Sequence, residues 1–330
     1  MGGGSWSGSA YNAAAARRAA KGIDDFDHDH RVKTGRAKGV HPTLDPTKLI
    51  HGIRESRDSD EHPESLPIAV IFDVTGSMGG IPRTLQKKLA NLMDVVIAKA
   101  GIRHPQILVG AVGDAYADQY PFQIGQFESD NRFDEQLREI ILEGGGGGQE
   151  MESYGLAYRF AAYHTALDAF EKRGKKGYLF TIGDEMPWPS VTAEEVHNIF
   201  DVKAEKDETV EELIAKVQEK WEVFHIFPMD GSYPNHTGIH ARWRMLIGER
   251  FVKLDDQELV CEVIAGLVHM LETAHDLDTV VRDIGVTGAA GKVVKDALVP
   301  VAKAVVPGGH TKGGLPKKHV AQNRSGISRI

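Results

Sequence analysis

Oxygen-bearing side chains are concentrated in the segment that follows the first strongly apolar run of the sequence. Asp73, Thr75 and Ser77 stand at alternate positions directly after the apolar residues 66–72. A second acidic residue, Asp184, follows a later apolar run. Carboxylate and hydroxyl oxygens are the ligands that hard cations such as Mg²⁺ prefer in proteins. These residue types therefore predict a divalent-cation site, with Mg²⁺ expected and Mn²⁺ or Ca²⁺ as alternatives.

The polar residues can meet only if the apolar runs before them lie side by side in one sheet. The runs 66–72, 106–112, 177–182 and 221–227 are typical of strands buried on both faces, and 251–254 is expected to be an edge strand. Helical spacing of apolar residues predicts helices at 85–100, 134–142, 153–172, 192–200, 209–220, 241–246 and 257–275. Alternating strands and helices favour right-handed crossovers and a parallel sheet. The fold class predicted is α/β: one doubly wound, Rossmann-like, mostly parallel sheet with helices on both faces.

In doubly wound sheets, ligands bind beyond the carboxyl ends of the strands. Asp73, Thr75, Ser77 and Asp184 all stand at such positions, and they are the expected metal ligands. Asp114 follows the second strand and Glu185 follows Asp184. We expect these two carboxylates to lie behind the ligands and orient them.

The sequence Asp73-Val-Thr75-Gly-Ser77 resembles the Asp-x-Ser-x-Ser signature of von Willebrand factor A (vWA) domains, with Thr in place of the first Ser. Asp184 matches the second metal-site aspartate of that family, and the resemblance covers about residues 66–276. It implies a metal-ion-dependent adhesion site (MIDAS), in which the ion grips an acidic residue of a partner protein and no bond is made or broken. The layout is also similar to stand-alone prokaryotic and phage proteins of this class. Some of their relatives work beside AAA+ ATPases of the MoxR type, so such an ATPase is one expected partner.

The middle loop departs from the family pattern, which places a Thr directly after a pair of glycines. Here five glycines at 144–148 lead into Gln149 and Glu150. We expect Glu150 to replace the Thr as a ligand, with Ser153 or Gln149 as alternatives. A Glu ligand would neutralise more of the ion's charge and weaken its attraction for an acidic partner.

Three residues near the expected metal site, at the edge of the sheet where the strands end, are interpreted as partner contacts. Trp188 follows Asp184 on the same loop, and a large aromatic side chain is a typical anchor in protein interfaces. Gly147 and Gly148 belong to the glycine run, which permits close approach of another chain.

Two other functions fit parts of the same pattern. The segment 72–77 also resembles the phosphorylated loop of P-type ATPases within the haloacid-dehalogenase-like fold, which would make Asp73 the nucleophile of a Mg²⁺-dependent phosphotransfer enzyme. Soluble members of that group carry an Asp where Thr75 stands, so this is the weaker resemblance. A structural or assembly component with no metal-dependent activity is the third interpretation.

The composition limits the class of protein. Hydrophobic residues at 41% and charged residues at 26% are typical of soluble globular chains. No apolar run is long enough to span a membrane, and residues 1–10 lack the features of a signal peptide. A single cysteine, Cys261, excludes an internal disulfide and suits a reducing compartment. We expect a cytoplasmic protein of prokaryotic or phage origin.

The distribution of charge suggests three regions. Residues 1–65 are expected to form an N-terminal extension of low order, 66–276 the vWA-like domain and 277–330 a basic tail. The tail contains nine basic and three acidic residues although the net charge of the chain is -8, so the body is acidic. An acidic body repels nucleic acid, whereas the tail is free to contact phosphates, an acidic partner or the body itself.

Overall fold

The computed structural model describes residues 4–89, 92–145 and 148–305. Its strands are β1 (Arg54–Ser56), β2 (Leu66–Asp73), β3 (Pro105–Val112), β4 (Phe122–Ile124), β5 (Met151–Glu152), β6 (Thr165–Leu167), β7 (Gly177–Ile182), β8 (Met186–Pro187), β9 (Ser190–Val191), β10 (Glu208–Thr209), β11 (Trp221–Pro228) and β12 (Phe251–Leu254). Six of them form the central sheet, in the order β12-β11-β7-β2-β3-β4. All neighbours in this sheet are parallel except β4, which runs antiparallel to β3.

Helices connect the strands and cover the sheet. They are α1 (Gly8–Ala20), α2 (Asp27–Lys33), α3 (Ile81–Leu89), α4 (Leu92–Asp94), α5 (Arg132–Arg138), α6 (Tyr154–Tyr163), α7 (Asp168–Arg173), α8 (Ala193–Phe200), α9 (Val210–Val217), α10 (Thr237–Ile247), α11 (Val260–Thr273), α12 (Leu277–Asp283) and α13 (Gly288–Val305), and a π-helical turn, Val95–Lys99, follows α4. None of the described helices is both long and apolar enough to cross a membrane.

The central sheet is buried on both faces, as its continuous apolar strands require. Along β2, Ile68 and Val70 pack on one side together with residues of α3, α11 and α13. Ala69 and Ile71 pack on the other side together with residues of α6, α9 and α10. This alternation places one hydrophobic core on each face. The prediction of a doubly wound, mostly parallel α/β sheet is confirmed.

One predicted helix is wrong in extent. The segment 153–172 is not continuous: α6 ends at Tyr163, β6 follows, and α7 then begins at Asp168. The Thr165 hydroxyl donates to the Ala161 carbonyl at 2.7 Å, which satisfies a carbonyl at the end of α6. β6 pairs in parallel with β1. The long-range pairing with the N-terminal segment therefore overrides local helical spacing.

The expectation that residues 1–65 have little order is wrong for the described residues 4–65. Phe26 and Leu44 are fully buried in the core that contains α3. The Leu44 carbonyl accepts a hydrogen bond from the Ile124 backbone N–H at 2.8 Å, and Trp6 Nε1 donates to Asp94 Oδ1 at 2.7 Å. A few large apolar side chains and backbone hydrogen bonds thus fix a segment whose overall composition is polar.

The boundary expected at residue 276 is also wrong. Val280 of α12 and three residues of α13, Val294, Leu298 and Val301, are buried in the same core as α11. Residues 277–305 therefore belong to the folded body. The remainder of the expected basic tail lies outside the described residues, so its role stays a prediction.

Candidate metal centre

The candidate site begins where β2 ends. The backbone N–H and the hydroxyl of Thr75 both donate to Asp73 Oδ1, at 2.8 and 2.6 Å, and this local bonding turns the chain away from the sheet. Asp73 is fully buried. Ser77 lies in the short helical turn that follows and is half-buried.

The structure brings Asp184 to the same place. β7 lies next to β2 in the sheet, so the residues after the two strands are neighbours. The Ser77 hydroxyl lies 3.3 Å from the Thr75 hydroxyl and donates to Asp184 Oδ1 at 2.9 Å. The four residues expected as ligands, Asp73, Thr75, Ser77 and Asp184, are thus joined in one chain of hydrogen bonds.

The start of the glycine run packs directly on this turn. The Gly144 N–H donates to the Val74 carbonyl at 3.1 Å, and the Gly76 N–H donates to the Gly145 carbonyl at 2.5 Å. A Cβ on Gly76 would lie only 2.7 Å from the Gly145 carbonyl oxygen, so a glycine is needed at this contact. Gly148 is exposed with a φ of +73°, and Gly147 lies outside the described residues.

The three residues expected as the middle-loop ligand have other partners. The Glu150 carboxylate lies 3.2 Å from His236 Nε2. The Ser153 hydroxyl accepts from the Ala115 N–H at 2.9 Å, and the Gln149 amide donates to Asp114 Oδ2. The structure brings none of the three to Asp73 through these contacts.

A different residue of the middle loop, Glu152, lies close to Asp73. One carboxylate oxygen from each of Asp73, Glu152 and Glu185 lies within 4.8 Å of the other two, and all three residues are buried. The two-residue strands β5 and β8 pair in parallel with Glu152 opposite Pro187, which places Glu152 beside the loop that carries Glu185. Glu185 was expected behind the ligands, but its carboxylate faces the group directly.

The buried carboxyl groups are close enough for their negative charges to repel one another. Burial is the largest cause that raises the pKa values of Asp73, Glu152, Asp184 and Glu185, and neighbouring carboxylates add to it for Asp73, Glu152 and Glu185. Glu152 Oε2 is buried and accepts no hydrogen bond from an N–H or hydroxyl group of the described residues, and the Glu152 carboxyl group contacts that of Glu185. A buried carboxylate oxygen with no N–H or hydroxyl donor, close to the carboxylates of Asp73 and Glu185, belongs to a donor set that suits a divalent cation, which would relieve the repulsion.

Two residues that the sequence did not predict hydrogen-bond to the expected ligands and hold them in position. The Tyr154 hydroxyl donates to Asp73 Oδ2 at 3.0 Å from a fully buried ring. Ser232 binds from the loop after β11: its N–H donates to Asp184 Oδ2 at 2.6 Å and its hydroxyl to the Ser77 carbonyl at 2.7 Å. Ser232 could have been found because it also follows a strand of the sheet, whereas no local signal marks Tyr154.

Asp114 and Trp188 form part of the rim around the site. Asp114 Oδ1 accepts hydrogen bonds from Trp188 Nε1 at 3.1 Å and from the Tyr116 N–H at 3.0 Å. Because Oδ2 accepts from the Gln149 amide, both oxygens of this buried carboxylate are hydrogen-bonded. The rings of Tyr116 and Trp188 lie 4.5 Å apart, and Tyr116 is 58% exposed. Asp114 therefore holds the rim loops together and supports an aromatic pair in which Tyr116 is exposed and Trp188 is half-buried.

Comparison with known proteins gives only distant similarity. No model of a known protein family matches the sequence, and no curated protein sequence matches it. The pilus adhesin SpaC from Lactobacillus rhamnosus GG, in an open conformation, is similar over 66% of this chain and 31% of its own, with 8% identity and a TM-score of 0.45. Proximal thread matrix protein 1 from the mussel byssus, in a form with a zinc-occupied MIDAS motif, is similar over 62% of this chain and 48% of its own, with 11% identity and a TM-score of 0.41. Less than half of either structure is covered, and similarity at this level carries no conclusion about function.

Proposed function

We propose that this chain is a non-catalytic, divalent-cation-dependent protein-interaction module of the vWA type, and that its partner presents an acidic residue to the cation. The proposal depends on one observation: Asp73, Thr75, Ser77 and Asp184, from two strand ends, meet in one hydrogen-bonded chain, and buried carboxylate oxygens of Glu152 and Glu185 lie within 4.8 Å of one of Asp73. Mg²⁺ suits these oxygen donors best, with Mn²⁺ or Ca²⁺ as substitutes.

The position of the site favours recognition of another protein. Ser77 is half-buried, while Gly76 and Ser232 beside it are exposed, so the group is reached from the surface on this side. Thr75 and Ser77 are neutral donors and leave part of the ion's charge uncompensated. The bound cation would supply an electrophilic position for a carboxylate, and the aromatic pair of Tyr116 and Trp188 on the rim would supply apolar contact area.

Glu152 limits how strongly an acidic group can be held. Its carboxylate replaces a neutral hydroxyl near Asp73, so it compensates more of the cation's charge than a threonine would. Removing that charge in Glu152→Gln should leave cation binding measurable and tighten the binding of an acidic peptide. A Glu152→Gln variant that binds the cation but binds the peptide more weakly than the native chain would contradict the acidic-partner part of the proposal.

Asp73 is poorly placed to act as a nucleophile. It is fully buried, Oδ1 accepts two hydrogen bonds from Thr75, and Oδ2 accepts one from Tyr154. A phosphotransfer enzyme of the alternative class needs this carboxylate open to the phosphoryl donor. Incubation with acetyl phosphate and Mg²⁺ tests the alternative: turnover that is lost in Asp73→Asn would favour the enzyme over the binding module.

Cation binding is the first test. Calorimetric titration of the full chain with Mn²⁺ should give one site that is lost in Asp73→Ala and weakened in Ser77→Ala. Asp255→Asn, which removes an exposed carboxylate just after β12, serves as the matched control and should bind like the native chain. Equal Mn²⁺ binding by Asp73→Ala and the control would refute the site.

Partner binding is the second test. Peptides selected from a displayed library on the immobilised chain in Mg²⁺, and eluted with a chelator, should share a required Asp or Glu. Replacing that residue by its amide in a synthetic peptide should abolish binding to the native chain. Selected peptides that bind equally in chelator would instead favour a structural or assembly component, for which a defined oligomer indifferent to metal is expected. A MoxR-type ATPase as the partner and a cytoplasmic location stay predictions.

A further inference from the structure

A second group of metal-ligand side chains lies on elements separate from the Asp73 site. Among the described residues, His269, His275 and Asp283 each offer one ligand atom within 4.8 Å of the other two. His269 belongs to α11, His275 to the connection that follows it, and Asp283 ends α12. The three residues are therefore brought together by the packing of α12 against α11.

Two of the distances within this group are close to those between zinc ligands. His269 Nε2 lies 3.2 Å from Asp283 Oδ2, and His275 Nδ1 lies 3.7 Å from the same oxygen. Ligands bound tetrahedrally about 2.0–2.1 Å from Zn²⁺ are about 3.3 Å from one another. A cation can therefore sit among the three atoms with small side-chain adjustments.

Both imidazoles converge on one carboxylate oxygen. The rings of His269 and His275 are nearly perpendicular, at 80°, with centroids 5.5 Å apart, so they approach Asp283 Oδ2 from different directions. The other oxygen, Oδ1, faces Arg282 at 3.4 Å. His269 is buried, whereas His275 is exposed and accessible to an incoming ion.

We propose that His269, His275 and Asp283 form a transition-metal site of the Zn²⁺ class, distinct from the oxygen-ligand site at Asp73. Two imidazole nitrogens and one carboxylate are donors that favour Zn²⁺ and related ions over Mg²⁺. A fourth position remains for water. The metal would tie the end of α11 to α12 and so hold the α12–α13 pair, which packs against α11 and the edge strand β12.

The test is calorimetric titration of the full chain with Zn²⁺ in a large excess of Mg²⁺, which competes with Zn²⁺ at the oxygen-ligand site. Co²⁺ serves as a second probe because its visible absorption reports tetrahedral nitrogen ligation. The variants are His275→Ala and Asp283→Asn; neither side chain is fully buried, so both variants should fold. The matched control is His41→Ala, which breaks another His–carboxylate pair, the 2.9 Å contact with Glu139.

We expect the native chain and His41→Ala to bind one Zn²⁺ at this site with equal affinity, and His275→Ala and Asp283→Asn to bind it at least tenfold more weakly. The Co²⁺ absorption should disappear in the same two variants. The thermal midpoint should rise with Zn²⁺ in the native chain and in Asp73→Ala, since the two sites are separate. Zn²⁺ affinity that is unchanged in His275→Ala and Asp283→Asn, or no saturable Zn²⁺ binding by the native chain, would overturn the proposal.

Discussion

Replacing Tyr154 by Phe tests whether the buried side of the candidate site controls cation binding. The hydroxyl is the only polar part of this fully buried ring, and it donates to Asp73 Oδ2 at 3.0 Å. The ring itself packs edge-on against His225 and Trp243, with centroids 5.1 and 5.4 Å away. Phe keeps those ring contacts and removes only the hydrogen bond.

The magnitude follows from the charge on Asp73. In the cation-free chain, burial raises the pKa of Asp73, so the lost bond is partly a bond to a neutral acid, worth about 0.5–1.5 kcal/mol. With a cation bound, Asp73 is ionised, and a hydrogen bond to a charged group contributes about 1.5–3 kcal/mol. The difference, about 1–1.5 kcal/mol, appears as a loss of cation affinity of roughly tenfold. Loss of a residue that orients a metal ligand typically costs about 10–100-fold.

Tyr158→Phe is the matched control. Tyr158 is also fully buried, one turn further along α6, and its hydroxyl contacts Thr181 at 3.1 Å instead of Asp73. Urea unfolding should show that both variants lose stability by about 0.5–1.5 kcal/mol without metal. Mn²⁺ titration should show that only Tyr154→Phe loses affinity.

Two results would refute this reasoning. Tyr154→Phe with native Mn²⁺ affinity would show that the hydrogen bond does not position a metal ligand. An equal loss of affinity in Tyr158→Phe would show that the effect comes from general loosening of α6.

Three further outcomes are expected. Gly183→Ala should lower Mn²⁺ affinity more than Tyr154→Phe does, because a Cβ at residue 183 would overlap the Tyr154 hydroxyl; native affinity in titration would contradict this. His225→Phe should flatten the pH dependence of stability. Burial lowers the pKa of His225 to about 3, whereas this imidazole titrates near about 6.5 in the unfolded chain. As the pH falls between these values, the native chain therefore loses up to about 1.4 kcal/mol of unfolding free energy per pH unit. Urea unfolding at a series of pH values measures this, and identical slopes would show that His225 is protonated without cost. Phe26→Ala should destabilise the chain by about 3–5 kcal/mol and Leu298→Ala by about 2–5 kcal/mol, because both side chains are fully buried. A thermal midpoint close to that of the native chain would mean that the N-terminal segment, for Phe26→Ala, or α13, for Leu298→Ala, is dispensable for stability.

The sequence by itself determined the central sheet. A strand made of a continuous apolar run is stable only when it is buried on both faces of a sheet. This local property predicted the bounds of β2, β7 and β11 to within a residue or two. Since strand ends of a parallel sheet meet at one edge, it also predicted that Asp73 and Asp184 would be neighbours.

Local patterns failed where long-range contacts decide the structure. Residues 4–65 have a polar composition, yet a few large side chains such as Phe26 find places in the core. The predicted helix at 153–172 is interrupted because β6 pairs with β1, more than a hundred residues earlier in the chain.

The middle of the candidate site was likewise decided by tertiary structure. The glycine run at 144–148 predicted a loop near the candidate site. Gln149, Glu150 and Ser153, which follow the run, contact other residues, and the pairing of β5 with β8 places Glu152 near Asp73 instead. A two-residue pairing leaves almost no periodic signal in the sequence. The spacing of residues therefore specified which strand ends carry the site, whereas side-chain packing in three dimensions selected which carboxylates face one another there.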